Sequence, residues 1–157
     1  MIVIADTSPL NYLIQIGEVE VLFRLYQRVI IPQAVLRELS RNASPLPVRE
    51  WVASPPAWLE VRKAIIENRG LPYKLGAGEL EAIALAEDLA AELLLMDDNS
   101  GRRVAEKRGL HVTGTFGILI QASRRGFLDI YPAISQLQQT NFYISPDLIK
   151  KIPELLK

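Results

Sequence analysis

Apolar residues along this chain alternate between two kinds of run. Ile2-Val-Ile-Ala5, Arg28-Val-Ile-Ile31, Glu92-Leu-Leu-Leu-Met96 and Leu110 to Thr113 are short and rich in β-branched or aliphatic residues. Such runs predict buried strands. Between them apolar residues recur every three or four positions, which predicts helices. Leu10, Leu13 and Ile14, then Leu22 and Leu25, give two short helices broken at Gly17, with Ser8 placed to cap the first and Pro9 at its first position. Further helices are predicted over Gln33 to Arg41, Gly76 to Leu89, Ser100 to Arg108 and Phe116 to Arg125, the last closed by Gly126.

Residues 43 to 75 carry five prolines and a weaker pattern, read as a short helix near Val48 to Val52 and an extended piece around Leu59 to Arg62. Strands alternating with helices at this spacing predict an α/β fold, a three-layer α/β/α sandwich around a mainly parallel sheet. Residues 1–131 form the main unit of this reading. Residues 132–157 form a C-terminal amphipathic helical extension behind Ser145-Pro146, whose stripe of Leu148, Ile149, Ile152, Leu155 and Leu156 must pack on the same domain or on a partner.

Composition narrows the chemistry. A chain of 157 residues, 49% hydrophobic and 23% charged, suits one globular domain with one core. Lys plus Arg and Asp plus Glu both number 18, so no global field attracts a polyanion and any such binding needs a local patch. Cysteine is absent and His111 is the single histidine, which excludes thiol catalysis and Cys/His zinc sites. The N-terminus lacks signal-peptide features and no run reaches the roughly 18 apolar residues of a membrane span, so a soluble cytoplasmic protein is expected.

The acids stand in informative places. Asp6 follows the first strand and Asp97-Asp98 follow the Glu92 to Met96 strand, so all three belong to one edge of the sheet, where α/β folds bind ligands. Helix capping is the competing reason for Asp6 and Asp98. Glu79 projects to the same helix side as Ala82, Ile83, Ala86 and Ala90, whereas Glu81 and Asp88 fall on the opposite, solvated side. A carboxylate on an apolar face needs a partner, and no Lys, Arg or His lies one turn away; first-turn placement in the helix dipole is the alternative. Glu38 lies beside the Val35, Leu36 and Leu39 stripe and counts only with the others. Converging carboxylates repel unless divalent cations sit among them, and an all-oxygen set selects Mg²⁺ or Mn²⁺. Such ions hydrolyse phosphodiesters without a protein nucleophile. A phosphate-receiving signalling domain is set aside because its acid pair should follow the first strand. A haloacid-dehalogenase-type phosphatase is set aside because Ser8, not an acid, lies two residues after Asp6.

With these residues in view, the chain resembles the PIN-domain ribonucleases, and within them the VapC-like toxins of toxin–antitoxin pairs. The carriers are Ile2-Val-Ile-Ala-Asp-Thr-Ser-Pro-Leu10, Ile31-Pro-Gln-Ala-Val-Leu-Arg-Glu-Leu39, Gly76-Ala-Gly-Glu-Leu-Glu-Ala-Ile-Ala-Leu-Ala86 and Leu93-Leu-Leu-Met-Asp-Asp-Asn-Ser-Gly-Arg-Arg103, in the family's order over roughly residues 1 to 130. The resemblance implies an α/β/α sandwich and metal-dependent RNA cleavage by Asp6, Glu38, Glu79, Asp97 and Asp98. Asp6, Glu79 and one or both of Asp97 and Asp98 would hold Mg²⁺ or Mn²⁺. By position Asp98 matches the usual acid, the aromatic that often follows is missing, and Asp97 assists. Thr7, Ser8 and Thr115 would stand beside the ligands, although capping of the Phe116 helix accounts equally for Thr115. Arg102 and Arg103 would contact RNA phosphates, ahead of Lys107, Arg108, Arg124 and Arg125. The implied partners are RNA, a cognate antitoxin and a second copy in a homodimer. The alternative is a catalytically silent PIN fold that binds protein or RNA.

Overall fold

The computed structural model describes residues 1–157. Five strands form one sheet: β1 (Val3–Ala5), β2 (Val29–Pro32), β3 (Leu59–Arg62), β4 (Leu93–Leu95) and β5 (Val112–Thr113). Their order is β3-β2-β1-β4-β5 and every pairing is parallel, with Ile4 opposite both Ile30 and Leu94. Ten helices connect and cover them: α1 (Thr7–Gln15), α2 (Glu20–Tyr26), α3 (Gln33–Ser40), α4 (Leu46–Ala53), α5 (Ala77–Asp88), α6 (Asn99–Lys107), α7 (Thr115–Arg124), α8 (Ile130–Gln138), α9 (Pro146–Lys150) and α10 (Ile152–Leu155).

The two-residue period of a strand divides the core. Val3, Ala5, Val29, Ile31 and Leu95 point into the larger cluster, where Leu10, Leu13, Leu22, Val35, Leu39, Ile118 and Leu119 meet them. Ile4, Ile30, Leu94 and Met96 point to the other side, against Ala82, Ile83, Ala86 and Ala105. Helices on both faces bury the strands twice, which is why their sequences are continuously apolar. Leu10, Leu13 and Leu22 are fully buried, and truncating any one to Ala costs about 2–5 kcal/mol.

Two expectations need correction. The first helix starts at Thr7, one residue before the proposed Ser8 cap, with Asp6 at the cap position but its side chain not capping. Asp6 is thereby kept free for other work. Glu81 was expected on a solvated face, yet it is largely enclosed: it accepts a hydrogen bond from the Ala34 N–H at 3.1 Å and faces Arg37 at 3.5 Å. The reason is that α5 packs against the sheet, α3 and α6 together, so a two-sided helical pattern does not describe it.

The C-terminal stripe packs on this same chain. Ile130, Ala133, Ile134, Leu137, Ile144 and Ile152 join the larger cluster, with Leu148, Ile149 and Leu156 against it, while Leu155 remains 38% exposed. The division at residue 131 falls inside α8. No helix is long and apolar enough to cross a membrane.

A candidate metal centre at the switch point of the sheet

From β1 the chain moves outward to β2 and β3, then returns to the other side of β1 as β4 and β5. The crevice beyond the carboxyl ends of β1 and β4 is therefore the switch point, where the connections part and leave room for a ligand. Asp6 extends β1 into it and is held there by its own N–H, which donates to the Leu95 carbonyl at 2.8 Å. The side chain is only 5% exposed. Its carboxyl is pushed up from 3.8 to about 7, first by burial and then by the negative charges of Glu79, Glu38 and Asp97, with the Thr7 backbone N–H pulling the other way.

Each surrounding acid comes from a different element. Glu38 reaches in from α3, where Thr7 Oγ1 donates to one oxygen and the Gly78 N–H approaches the other at 3.3 Å. Glu79 sits in the first turn of α5, where the helix dipole favours negative charge. Even so its carboxyl is raised from 4.5 to about 7, by burial foremost and then by the charge and hydrogen bonding of Asp98 and the charge of Glu38. Asp97 accepts from the Thr115 N–H and from Thr115 Oγ1, both at 2.7 Å. Burial raises it, while Thr115 and the charge of Arg102 lower it.

The two adjacent aspartates divide the work. Asp97 faces Asp6, whereas Asp98 is the N-cap of α6, accepts from the Gly101 N–H at 2.9 Å and leans on Glu79. Capping and charge clustering, competing explanations in the sequence, both hold for Asp98. For Thr115 the choice resolves: it is fully buried and its hydroxyl turns to Asp97, while Gly114 takes the cap position of α7. Ser8 lies in the first turn of α1 and makes no side-chain hydrogen bond to the acids.

Glycines make the room. A Cβ on Gly78 would stand 2.5 Å from Glu38 Oε2, one on Gly101 2.9 Å from Glu79 Oε2, and one on Gly114 2.7 Å from Asp97 Oδ1. These distances are below contact, so the acids occupy space that any larger residue would take.

Arg102 is the one cation that offsets any of the three raised carboxyls. Arg103 is exposed. Arg108, a weaker candidate for phosphate contact, is instead tied to Glu87 at 2.8 Å, and Arg125 lies over the Phe127 ring at 4.9 Å. Sequence reasoning passed over two neighbours, Asn11 and Arg41, and left a third, Tyr12, as a stacking candidate too scattered among the aromatics to assign. Asn11, one turn after Thr7, and Arg41, just past α3, line a groove that opens beside Glu38. Tyr12 donates its hydroxyl to Asn141 Oδ1 at 2.6 Å, packs edge-on against Phe142 at 5.0 Å and feels the charge of Asp97. The helical offset of four from Thr7 was a usable signal for Asn11; Tyr12 stood out only as an aromatic, with no local pattern to assign it a role.

The donors are oxygens only and the buried negative charge exceeds the positive charge beside it, a combination that fits a hard divalent cation. No three of the acids stand in the arrangement of a coordination shell, so ligation would require side-chain rotation. A family described as PIN domain matches residues 2–157. No curated protein matches the chain.

Proposed function

This chain belongs to the PIN-domain family, whose members are generally nucleases, and from that premise we propose a Mg²⁺- or Mn²⁺-dependent endoribonuclease, the toxin of a toxin–antitoxin pair. The observation that carries the reading is the switch-point pocket, where the charges of Glu79, Glu38 and Asp97 bear on Asp6 and those of Asp98 and Glu38 on Glu79, with Arg102, beside Asp97, as the only cationic offset. Asp6, Glu79, Asp97 and Asp98 would hold the ion, which when bound polarises the phosphodiester and makes its water a stronger acid. Glu38, fixed by Thr7 and Gly78, completes the negative wall and is placed to accept a proton. Thr115 fixes the orientation of Asp97 through two hydrogen bonds. Arg102 and exposed Arg103 supply positive charge on the α6 side for phosphate oxygens.

Partners follow from the same reading: RNA, an antitoxin, and a second copy of this chain in a cytoplasmic homodimer. Exposed apolar side chains at Phe23 and Val61, beside the open β3 edge, support an association surface of this kind. The clustered acids weigh against the silent-module alternative, since a copy without metal chemistry gains nothing from holding these charges together. Digestion of defined RNAs with and without Mn²⁺ tests the proposal. Cleavage should need the metal and fall by at least about 10²-fold in Glu79→Gln, given the usual cost of removing a group that stabilises developing charge. Metal-independent cleavage, or full activity in the variant, would overturn it.

A further inference from the structure

A groove of about 310 Å³ opens directly beside the acids, between the start of α1 and the turn after α3. Thr7 and Glu38 form the wall it shares with the pocket. Asn11 and Arg41 supply polar contacts, and Ala43 and Pro45 supply apolar surface. Arg41 is exposed and makes no ion pair, and Asn11 makes no side-chain hydrogen bond within the chain, whereas three partly buried arginines are committed: Arg49 to the Ser44 carbonyl, Arg69 and Arg108 to Glu87.

The sheet order fixes where this groove lies. It belongs to the β2 side of β1, through α3, whereas Arg102 and Arg103 belong to the β4 side, through α6. Cations therefore flank the acids on two opposite sides, and a strand drawn from Arg102 to Arg41 must cross the carboxylates. Resting on the nuclease reading above, we propose that this groove is the seat of the nucleotide next to the scissile phosphate in a single-stranded RNA. Arg41 engages that nucleotide's phosphate, Ala43 and Pro45 support the flat face of base or ribose, and the Asn11 amide, which both donates and accepts, meets a polar edge. Glu38 repels a phosphate placed directly on it, so the phosphate sits at the Arg41 end and the neutral base over the apolar floor. One nucleotide of base preference is the consequence.

The test uses the full chain and a short fluorescent single-stranded RNA. Binding is measured in EDTA across a salt series, and cleavage with Mn²⁺. Arg41→Ala should weaken binding roughly three- to tenfold, the range of an exposed to a charge-assisted phosphate contact. It should also lower the salt slope by about one, with kcat/KM lost through KM. Arg41→Lys should restore most of the affinity, and Asn11→Ala should flatten the preference at one nucleotide beside the cut. The Mn²⁺-induced thermal shift of Arg41→Ala should match that of the native protein, which shows that the fold and the acids are intact. Unchanged affinity and salt slope in Arg41→Ala, with native cleavage present, would remove the groove from the RNA path and leave the nuclease reading standing. Weakened binding by Arg41→Ala in a protein that cleaves nothing would sink the nuclease and, with it, a seat beside a scissile phosphate, leaving Arg41 as an RNA contact only.

Discussion

Asp6→Asn probes the electrostatics of the pocket without touching the core. In the folded chain Asp6 holds its proton up to about pH 7, whereas its ordinary value is 3.8. A carboxyl with a raised folded value favours the native state fully below about pH 4, and that contribution disappears as pH rises toward 7, because the folded form binds more protons than the unfolded one across the interval. At 1.36 kcal/mol per pH unit of displacement, the change amounts to about 4 kcal/mol for a side chain that is almost wholly buried. Glu79 acts in the same direction but is more open to water, so its share is smaller. Metal-free protein should therefore lose stability from about pH 4 to about pH 7, and the loss above pH 5 falls where ordinary carboxylates no longer titrate.

Asparagine removes the charge at every pH while keeping the shape. In EDTA at pH 5 the folded Asp6 is protonated and the unfolded one is not, so the native chain has already lost about 1–2 kcal/mol of this contribution; imperfect pairing of the new amide roughly offsets that, and Asp6→Asn and the native chain should unfold close together. At pH 8 the variant should be the more stable, by about 2 kcal/mol once imperfect pairing of the new amide is allowed for. That corresponds to roughly 4–8 °C for a chain of this size. Adding Mn²⁺ at pH 8 should raise the native midpoint, by about 2.7 kcal/mol at a hundred times the dissociation constant, and leave the variant behind. Thermal melts followed by far-ultraviolet circular dichroism measure all of this. A native midpoint that is flat or rising from pH 5 to pH 8 without metal would refute the reasoning, as would a variant less stable than the native chain at pH 8.

Two further substitutions address the surroundings of the acids. Thr115→Val removes the hydroxyl donor from Asp97 but keeps the N–H, so it should cost about 1–2 kcal/mol, raise the Asp97 carboxyl further and move the acidic limb of the cleavage–pH profile upward; an unmoved profile would show that Asp97 does not titrate with activity. Gly114→Ala keeps a backbone that any residue adopts, φ −105°, ψ −175°, yet brings a methyl to 2.7 Å from Asp97 Oδ1; we expect about 1–3 kcal/mol of destabilisation and at least tenfold slower cleavage, and a variant indistinguishable from native would mean the acid yields freely.

The sheet was readable because strands buried on both faces leave continuous apolar runs, and Asp6 and Asp97 were readable because they end two of those runs. Glu79 announced itself by standing on an apolar face. Glu81 misled for the same reason that made α5 informative: the helix is enclosed on several sides, and only tertiary packing shows that Glu81 meets the start of α3. Segment 63–76 gave no pattern because it forms no helix or strand. It is fastened instead by Arg69, which pairs with Glu87 and Asp88, and by the Arg69 carbonyl, which accepts from Arg108 at 3.2 Å. Partners that are 18 to 39 residues away leave no periodic trace. The groove at Arg41 was hidden likewise, since a concave surface arises only when α1 and α3 pack side by side.

The distribution of charge along α5 separates a purposeful acid from an accidental one. This helix carries four acids, Glu79, Glu81, Glu87 and Asp88. Arginine meets three of them: Arg37 at Glu81, Arg69 and Arg108 at Glu87, Arg69 again at Asp88. Glu79 alone has no cation and faces Asp98 and Glu38 instead. The chain has 18 basic residues, so positive charge is not scarce; it is directed to every acid of the helix except the one beside the switch point. Unpaired buried charge is costly to hold, and uniform neglect of ion pairing would have left the other three bare too. A helix that pairs its outlying acids with arginine and leaves its first-turn acid without a cation supports the proposed metal site. A native protein whose melting temperature ignores every divalent ion would show that arrangement to be idle.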